Sequence, residues 1–148
     1  MSSNATAVLN AAKSALEGVS GLSADSVVRG RPATLADATS PPCVWIAAGR
    51  LTTEPGPDLT GCSHTLLIDV VAVPTADSSS YADREDACLT LADGLSEAIE
   101  NSSTLAALLS VAPIFASDSH IDGAAGPGAC CVVAVIQCQW LSDSGAGL

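Results

Sequence analysis

Residues 81–100 read YADREDACLTLADGLSEAIE, and this stretch decides the fold. At the 3.6-residue period of an α-helix, its apolar side chains fall on one side and its acids fill the remainder. The apolar set comprises Tyr81, Cys88, Leu91, Ala92, Leu95, Ala98 and Ile99. We therefore predict a half-buried helix here, with the rest of the chain packed against its apolar side.

Two apolar stretches on either side of this helix have the composition of β-strands. His64–Val73 is rich in Val, Leu and Ile, and Ala129–Leu141 alternates apolar residues over most of its length. Both are shorter than the roughly 20 apolar residues of a membrane-spanning helix. We expect them to be strands of one sheet, with the central helix packed across that sheet.

Further elements follow from the same periodicities. Ala5–Val19 has the apolar spacing of an amphipathic helix, and Cys43–Leu51 is typical of a strand that pairs antiparallel with Ser63–Val73. The remaining predictions are a short strand at Val27–Gly30, a helical turn from Leu105, a strand at Ile114–Ile121 in a hairpin with the final strand, and a frayed tail at Ser142–Leu148.

The sum of these elements predicts an α+β fold, with a mixed or antiparallel sheet of four to five strands and helices packed on one face. The chain length of 148 residues suits a single domain, 1–148, with an ordered core at about residues 5–141 and a flexible tail at 142–148.

The chain is strongly acidic, since its 16 Asp and Glu residues outnumber its 5 Lys and Arg residues and give a net charge of −11. Such a surface repels phosphate, so we do not expect the protein to wrap nucleic acid. No basic leader followed by an apolar run stands at the N-terminus, and this favours synthesis in the cytoplasm with no membrane contact. The six cysteines contain no C-x-x-C pair and have the character of small buried apolar residues.

Two groups of residues could carry chemistry. Asp118, His120 and Asp122 would share one face of an extended segment and could hold a divalent metal, although a polar strand end gives the same pattern. His64 with Cys62 could be read as a base and nucleophile, but such partners are recognised by geometry. Neither group is complete, so we predict no catalytic residue, no metal ligand and no cofactor.

The segment Leu51–Thr60 is longer than a hairpin connection requires. It contains two prolines together with Glu54 and Asp58, and long ordered loops in compact domains tend to be functional. We interpret it as a loop that reaches toward a neighbouring molecule, with a merely flexible loop as the alternative. The last strand changes from apolar residues to Gln137 and Gln139 on one face, so that its later half must meet water or a partner.

The order of these elements resembles a known family. The hairpin arm HTLLIDVVAV at 64–73, the acidic helix beginning YADREDA at 81–87 and the final strand ending QCQW at 137–140 are similar to the tail terminator, or tail completion, proteins of long-tailed bacteriophages. The resemblance is one of pattern over roughly Ala5–Leu141, without a diagnostic motif.

The resemblance implies a non-enzymatic virion protein at the head–tail junction. Such a protein forms a homohexameric ring that caps the tail tube, contacts the tail tube protein and the head–tail connector protein, and lets DNA pass only as cargo through its lumen. We expect the subunit or tube interface to include Arg50, Glu54, Asp58, Gln137 and Gln139, chosen from the loop and the polar half of the last strand. The alternative is a small-molecule-binding or enzymatic α+β module with a pocket near His64, Cys88 or His120.

Overall fold

The computed structural model describes residues 4–30, 42–56, 61–74, 81–120 and 131–142. In chain order the elements are helix α1 (Asn4–Glu17), strand β1 (Val27–Arg29), strand β2 (Cys43–Pro55), strand β3 (Cys62–Val73), helix α2 (Tyr81–Glu100), helix α3 (Ser103–Ala106), strand β4 (Ile114–His120) and strand β5 (Cys131–Ser142). A 3-10 turn, Ala24–Ser26, leads from α1 into β1. In the part of the chain that the structure describes, no helix is both long and apolar enough to span a membrane.

Helix α2 has the bounds that its periodicity predicts, Tyr81–Glu100. Its buried side chains recur at helical spacing and comprise Cys88, Leu91, Ala92, Leu95 and Ile99. Leu95 and Ile99 are fully buried, and removing such a side chain from water stabilises the fold by roughly 1.5–3 kcal/mol. The helix is therefore held mainly by its apolar side, since its outward side chains, most of its acids and Leu89 among them, are exposed to solvent.

The described strands form one five-stranded sheet in the order β1-β2-β3-β5-β4. The pairs β2–β3, β3–β5 and β4–β5 are antiparallel, and β1 runs parallel to β2. The sheet is consequently mixed, and the prediction of an α+β fold with four to five strands and helices on one face is confirmed.

One face of the sheet carries the core. Alternate residues of β3 and β5 are buried there, and they meet the apolar sides of α1 and α2 and the side chain of Leu105 in α3. The buried strand residues on this face are Val27, Val44, Ile46, His64, Leu66, Ile68, Val70, Ala72, Val132, Ala134, Ile136, Cys138 and Trp140. The apolar face predicted for the last strand is confirmed from Val132 to Trp140.

The predicted long loop at Leu51–Thr60 is wrong over its first half. Strand β2 continues to Pro55 and stays paired with β3, and the hairpin closes where the N–H of Gly56 donates to the carbonyl of Gly61, 3.1 Å away. A register shift between Ala48 and Arg50 marks a β-bulge that allows the strand to continue. Residues 57–60, including Asp58, lie outside the described residues.

The C-terminal tail prediction also needs a correction. Ser142 is the last residue of β5, is paired with Cys62 and is partly buried. The frayed tail therefore cannot begin at Ser142; residues 143–148 lie outside the described part of the chain.

Candidate functional site

The sheet face opposite α1 and α2 is the most unusual surface of the described structure, and we call it the open face. Apart from Val73, which is buried at the end of β3, its side chains are half-buried or exposed, whereas the alternate residues on the other face of β3 and β5 are buried. The open face comprises Val28 of β1; Trp45, Ala47, Arg50, Thr52 and Glu54 of β2; Thr65, Leu67, Asp69 and Val71 of β3; Val133, Val135, Gln137, Gln139 and Leu141 of β5; and Ile114 and Ala116 of β4.

The strand register brings the predicted interface residues together on this face. Arg50 pairs with Leu67, which pairs with Gln137, so Arg50 and Gln137 lie two strands apart, about 10 Å. Gln139 occupies the next row, where its Nε2 donates to Thr65 Oγ1 at 3.3 Å. Glu54 lies one row further along β2. The structure thus groups Arg50, Glu54, Gln137 and Gln139, while the predicted contact Asp58 is outside the described residues.

The open face has two chemically different halves. The half nearer β1 is apolar, with Val28, Trp45, Val71 and Val133 in one row across four strands. The half nearer the hairpin is polar, with Arg50, Gln137 and Gln139 among its members. Exposed apolar residues border the polar half, since Ile114 is 56% and Leu141 53% exposed.

Asp69 lies where the two halves meet, opposite the bulge of β2. A Cβ atom placed on Gly49 would approach both carboxylate oxygens of Asp69 to 2.7 Å, a distance that real Cβ atoms do not adopt. Glycine at the bulge therefore leaves room for this carboxylate, in agreement with the usual role of glycine in bulges. Asp69 is half-buried.

His64, which the sequence analysis considered as a base and did not predict to be catalytic, is fully buried on the core face. Its Nδ1 lies 3.0 Å from Thr53 Oγ1 and its Nε2 lies 2.7 Å from Ser142 Oγ, and its ring is 5.4 Å from that of Trp140. The ring thereby links β2, β3 and β5 through hydrogen bonds that satisfy both nitrogens, as a buried polar group requires. Both ring nitrogens are paired with hydroxyl groups and not with a carboxylate, so the arrangement fits a structural link between strands.

Two of the described cysteines have environments that disfavour a nucleophilic thiolate. Cys43, Cys62, Cys88 and Cys138 form no disulfide bond, and the last two are buried. Burial raises the pKa of the Cys138 thiol from 9.0 to about 11, and burial also raises the pKa of Cys43. Since the thiolate is the reactive form, both thiols are less reactive than a free cysteine.

The predicted metal trio is not testable as a set. Asp118 and His120 belong to β4, but their side chains and the whole of Asp122 lie outside the described structure. Among the described residues, no group of three or more His, Cys, Asp or Glu side chains could hold a metal ion.

A groove of about 960 Å³ lies on the helix side of the molecule, between the turn that follows α1 and the outer side of α2. Its floor contains Val19, Leu22 and Leu91, and Pro42 and Pro74 also line it. Neither His64 nor Cys88 lines it, so the groove is not the pocket that the sequence suggested near those residues.

Two of these features escaped sequence reasoning. The partners of His64 are 11 and 78 residues away along the chain, so only the strand register identifies them. The groove could have been found, because Ala87, Leu91, Gly94 and Ala98 recur at spacings of four and three residues beside the core-facing side of α2.

Comparison with known proteins identifies no family for this chain. No family model and no curated protein matches this chain. A functional assignment therefore has to be argued from the surfaces described above.

Proposed function

We propose that this chain is a structural subunit of a virion, which assembles with copies of itself into a ring that closes the tail tube of a long-tailed bacteriophage and joins it to the head-side connector. The observation that carries the proposal is the open face. A sheet covered on one side only usually presents polar residues outward, but here the outward positions include Trp45, Leu67, Val71, Val133 and Val135.

An apolar area of this kind favours protein contact. Contiguous exposed apolar patches, especially with a polar rim, are typical of interaction sites. The open face has this composition, because the valines and Trp45 lie beside a rim formed by Arg50, Gln137 and Gln139. Trp and Arg are also the residue types that most often dominate the binding energy of interfaces.

A copy of the same chain is a suitable partner for this face. A ring requires a heterologous contact, in which the open face of one subunit meets a different surface of the next. Arg50 is the described cation of the open face, and the rest of the molecule offers many acids with which a guanidinium can pair. Hexameric stoichiometry comes from the family resemblance alone.

The charge fits a ring through which DNA passes. A net charge of −11 disfavours tight contact with phosphates, so DNA would move through the lumen without adhering to it. The tail tube protein and the connector would bind the two ends of the ring.

The proposal is tested by placing a charge on an exposed apolar residue of the open face. Ile114→Asp should leave the free energy of unfolding within about 0.5 kcal/mol of wild type, because the side chain is 56% exposed. The same variant should weaken self-association at least about tenfold in sedimentation velocity. Leu89→Asp, on the outer side of α2 at 50% exposure, is the matched control and should assemble like wild type. Equal behaviour of the two variants would contradict the proposal.

A further inference from the structure

The groove beside α2 has an apolar floor and an acidic rim. Val19 and Leu91 are buried at its base, and Leu22, Ala87 and Ala98 are half-buried. Its charged lining side chains in the described structure are all acids and all exposed, namely Asp83, Asp86, Asp93 and Glu97.

The acids are placed along the groove in a regular way. Asp86, Asp93 and Glu97 each precede a residue of the floor, namely Ala87, Gly94 and Ala98. The floor spacing of four, three and four residues, completed by Leu91, is that of a helix–helix seam. Asp83 and Glu97 occupy the flanking position that sets partner choice in coiled coils, and Asp86 and Asp93 lie one position further from the seam on the same side of α2. Small side chains at such a seam allow a second helix to approach closely.

The length of the groove also suits a helix. From Asp83 to Glu97 the helix rises about 21 Å, at 1.5 Å per residue. A partner helix of roughly the same length would place four turns along the floor, and its cations could reach the acidic rim. Recognition of this type, an amphipathic helix in an apolar groove, is a common mode of peptide binding.

We propose that this groove binds a cationic amphipathic helix of a partner protein, with its apolar side on the floor and its Lys or Arg residues on the rim. Charge complementarity selects this occupant, because an acidic or neutral helix would leave the rim carboxylates facing no cation. The site lies on the helix side of the molecule and does not depend on the ring proposed for the open face.

The test uses a dye-labelled synthetic peptide of Leu, Ala and Lys, about 18 residues long, which spans roughly 27 Å as a helix. Its binding is followed by fluorescence anisotropy at about 0.15 M salt, where the Debye length is near 8 Å. The groove variant is Asp86→Asn with Asp93→Asn and Glu97→Gln. The control variant is Asp25→Asn with Glu85→Gln and Glu100→Gln, which changes the net charge equally at acids outside the groove lining.

We expect the groove variant to weaken peptide binding at least about tenfold, and the control variant to change it less than about threefold. Thr90→Trp, which fills the groove without changing charge, should weaken binding similarly. A peptide with every Leu replaced by Ser, at unchanged charge, should not bind measurably.

Three results would overturn the inference. Equal weakening by the two charge variants, or equal binding of the Ser-substituted peptide, would show general attraction to an acidic protein. Unchanged binding by Thr90→Trp would show that the peptide lies elsewhere. Thermal unfolding of every variant, expected near that of wild type because the substituted side chains are exposed or half-buried, separates loss of binding from loss of fold.

Discussion

The hydroxyl of Ser142 lies 2.7 Å from Nε2 of His64, and this contact ties the last residue of β5 to a fully buried ring on β3. The hydroxyl of Thr53 on β2 is hydrogen-bonded to the other ring nitrogen, Nδ1, at 3.0 Å. Three strands are thereby joined at the end of the sheet nearest the β2–β3 hairpin, on the core side behind the polar half of the open face.

Ser142→Ala should lower the free energy of unfolding by about 1–3 kcal/mol, because it leaves a buried ring nitrogen without its partner. Urea unfolding followed by circular dichroism measures the change. Ser117→Ala, at an exposed position of β4, is the control and should stay within about 0.5 kcal/mol of wild type. Equal values for the two variants would show that the hydrogen bond contributes nothing.

Gly49→Ala should destabilise the protein by about 1–3 kcal/mol, because the added methyl group meets the Asp69 carboxylate. A double-mutant cycle with Asp69→Ala, which removes that carboxylate, tests whether this close contact causes the destabilisation. We expect the double variant to be more stable than the sum of the single effects by at least about 0.5 kcal/mol. Strict additivity would mean that the two residues do not interact.

Gly94→Ala tests two opposing effects at the contact between α2 and the turn after α1. Alanine gains about 1 kcal/mol of helix propensity over glycine, but its Cβ would lie 3.2 Å from Cγ1 of Val19. We expect a small net change in wild type and a gain of about 1 kcal/mol in a Val19→Ala background, where the close contact is gone. The same increase in the free energy of unfolding in both backgrounds would show that the Val19 side chain moves aside without an energetic cost.

Stability should fall as the pH rises from about 9 to about 11. Burial raises the pKa of Cys138 from 9.0 to about 11, so within this window the unfolded chain binds fewer protons than the folded one. The contribution of the protonated thiol is complete below pH 9 and is lost as the pH rises toward 11.

The variant Cys138→Ala should show a shallower decline across this window in urea unfolding measured at several pH values. Val132→Ala, a buried position on the same face of β5, creates a comparable packing defect without removing a titrating group. It should keep the wild-type slope, and a slope for Cys138→Ala as steep as that of Val132→Ala would assign the decline to other groups.

Helix α2 could be predicted to its end residues because its apolar positions follow one period for five turns. The buried face of β5 could be predicted for the same reason, since alternation of buried residues continues unbroken from Val132 to Trp140 and polar residues stand opposite its later half. The buried face of β3 could not be predicted, because Leu67 and Val71 make its opposite face nearly as apolar. Local pattern and tertiary burial therefore agree in α2 and β5.

Strand β2 could not be predicted in the same way, because the bulge reverses the alternation. Trp45 and Ala47 occupy the open face before it, whereas Arg50, Thr52 and Glu54 occupy the same face after it. A strict period of two therefore predicts that the strand ends at Leu51 and that its second half is a loop. Glu54 is therefore assigned to a loop by the sequence pattern although it lies on β2, whereas Arg50 falls within the stretch that the pattern predicts as a strand.

The most direct test of the ring proposal is the mass of the purified chain by native mass spectrometry across a wide concentration range, with negative-stain images of the same samples. We predict closed rings, expected to contain six copies, that dissociate only on dilution. A strict monomer at every concentration, with no rings in the images, would contradict the assignment of the open face as a self-assembly surface.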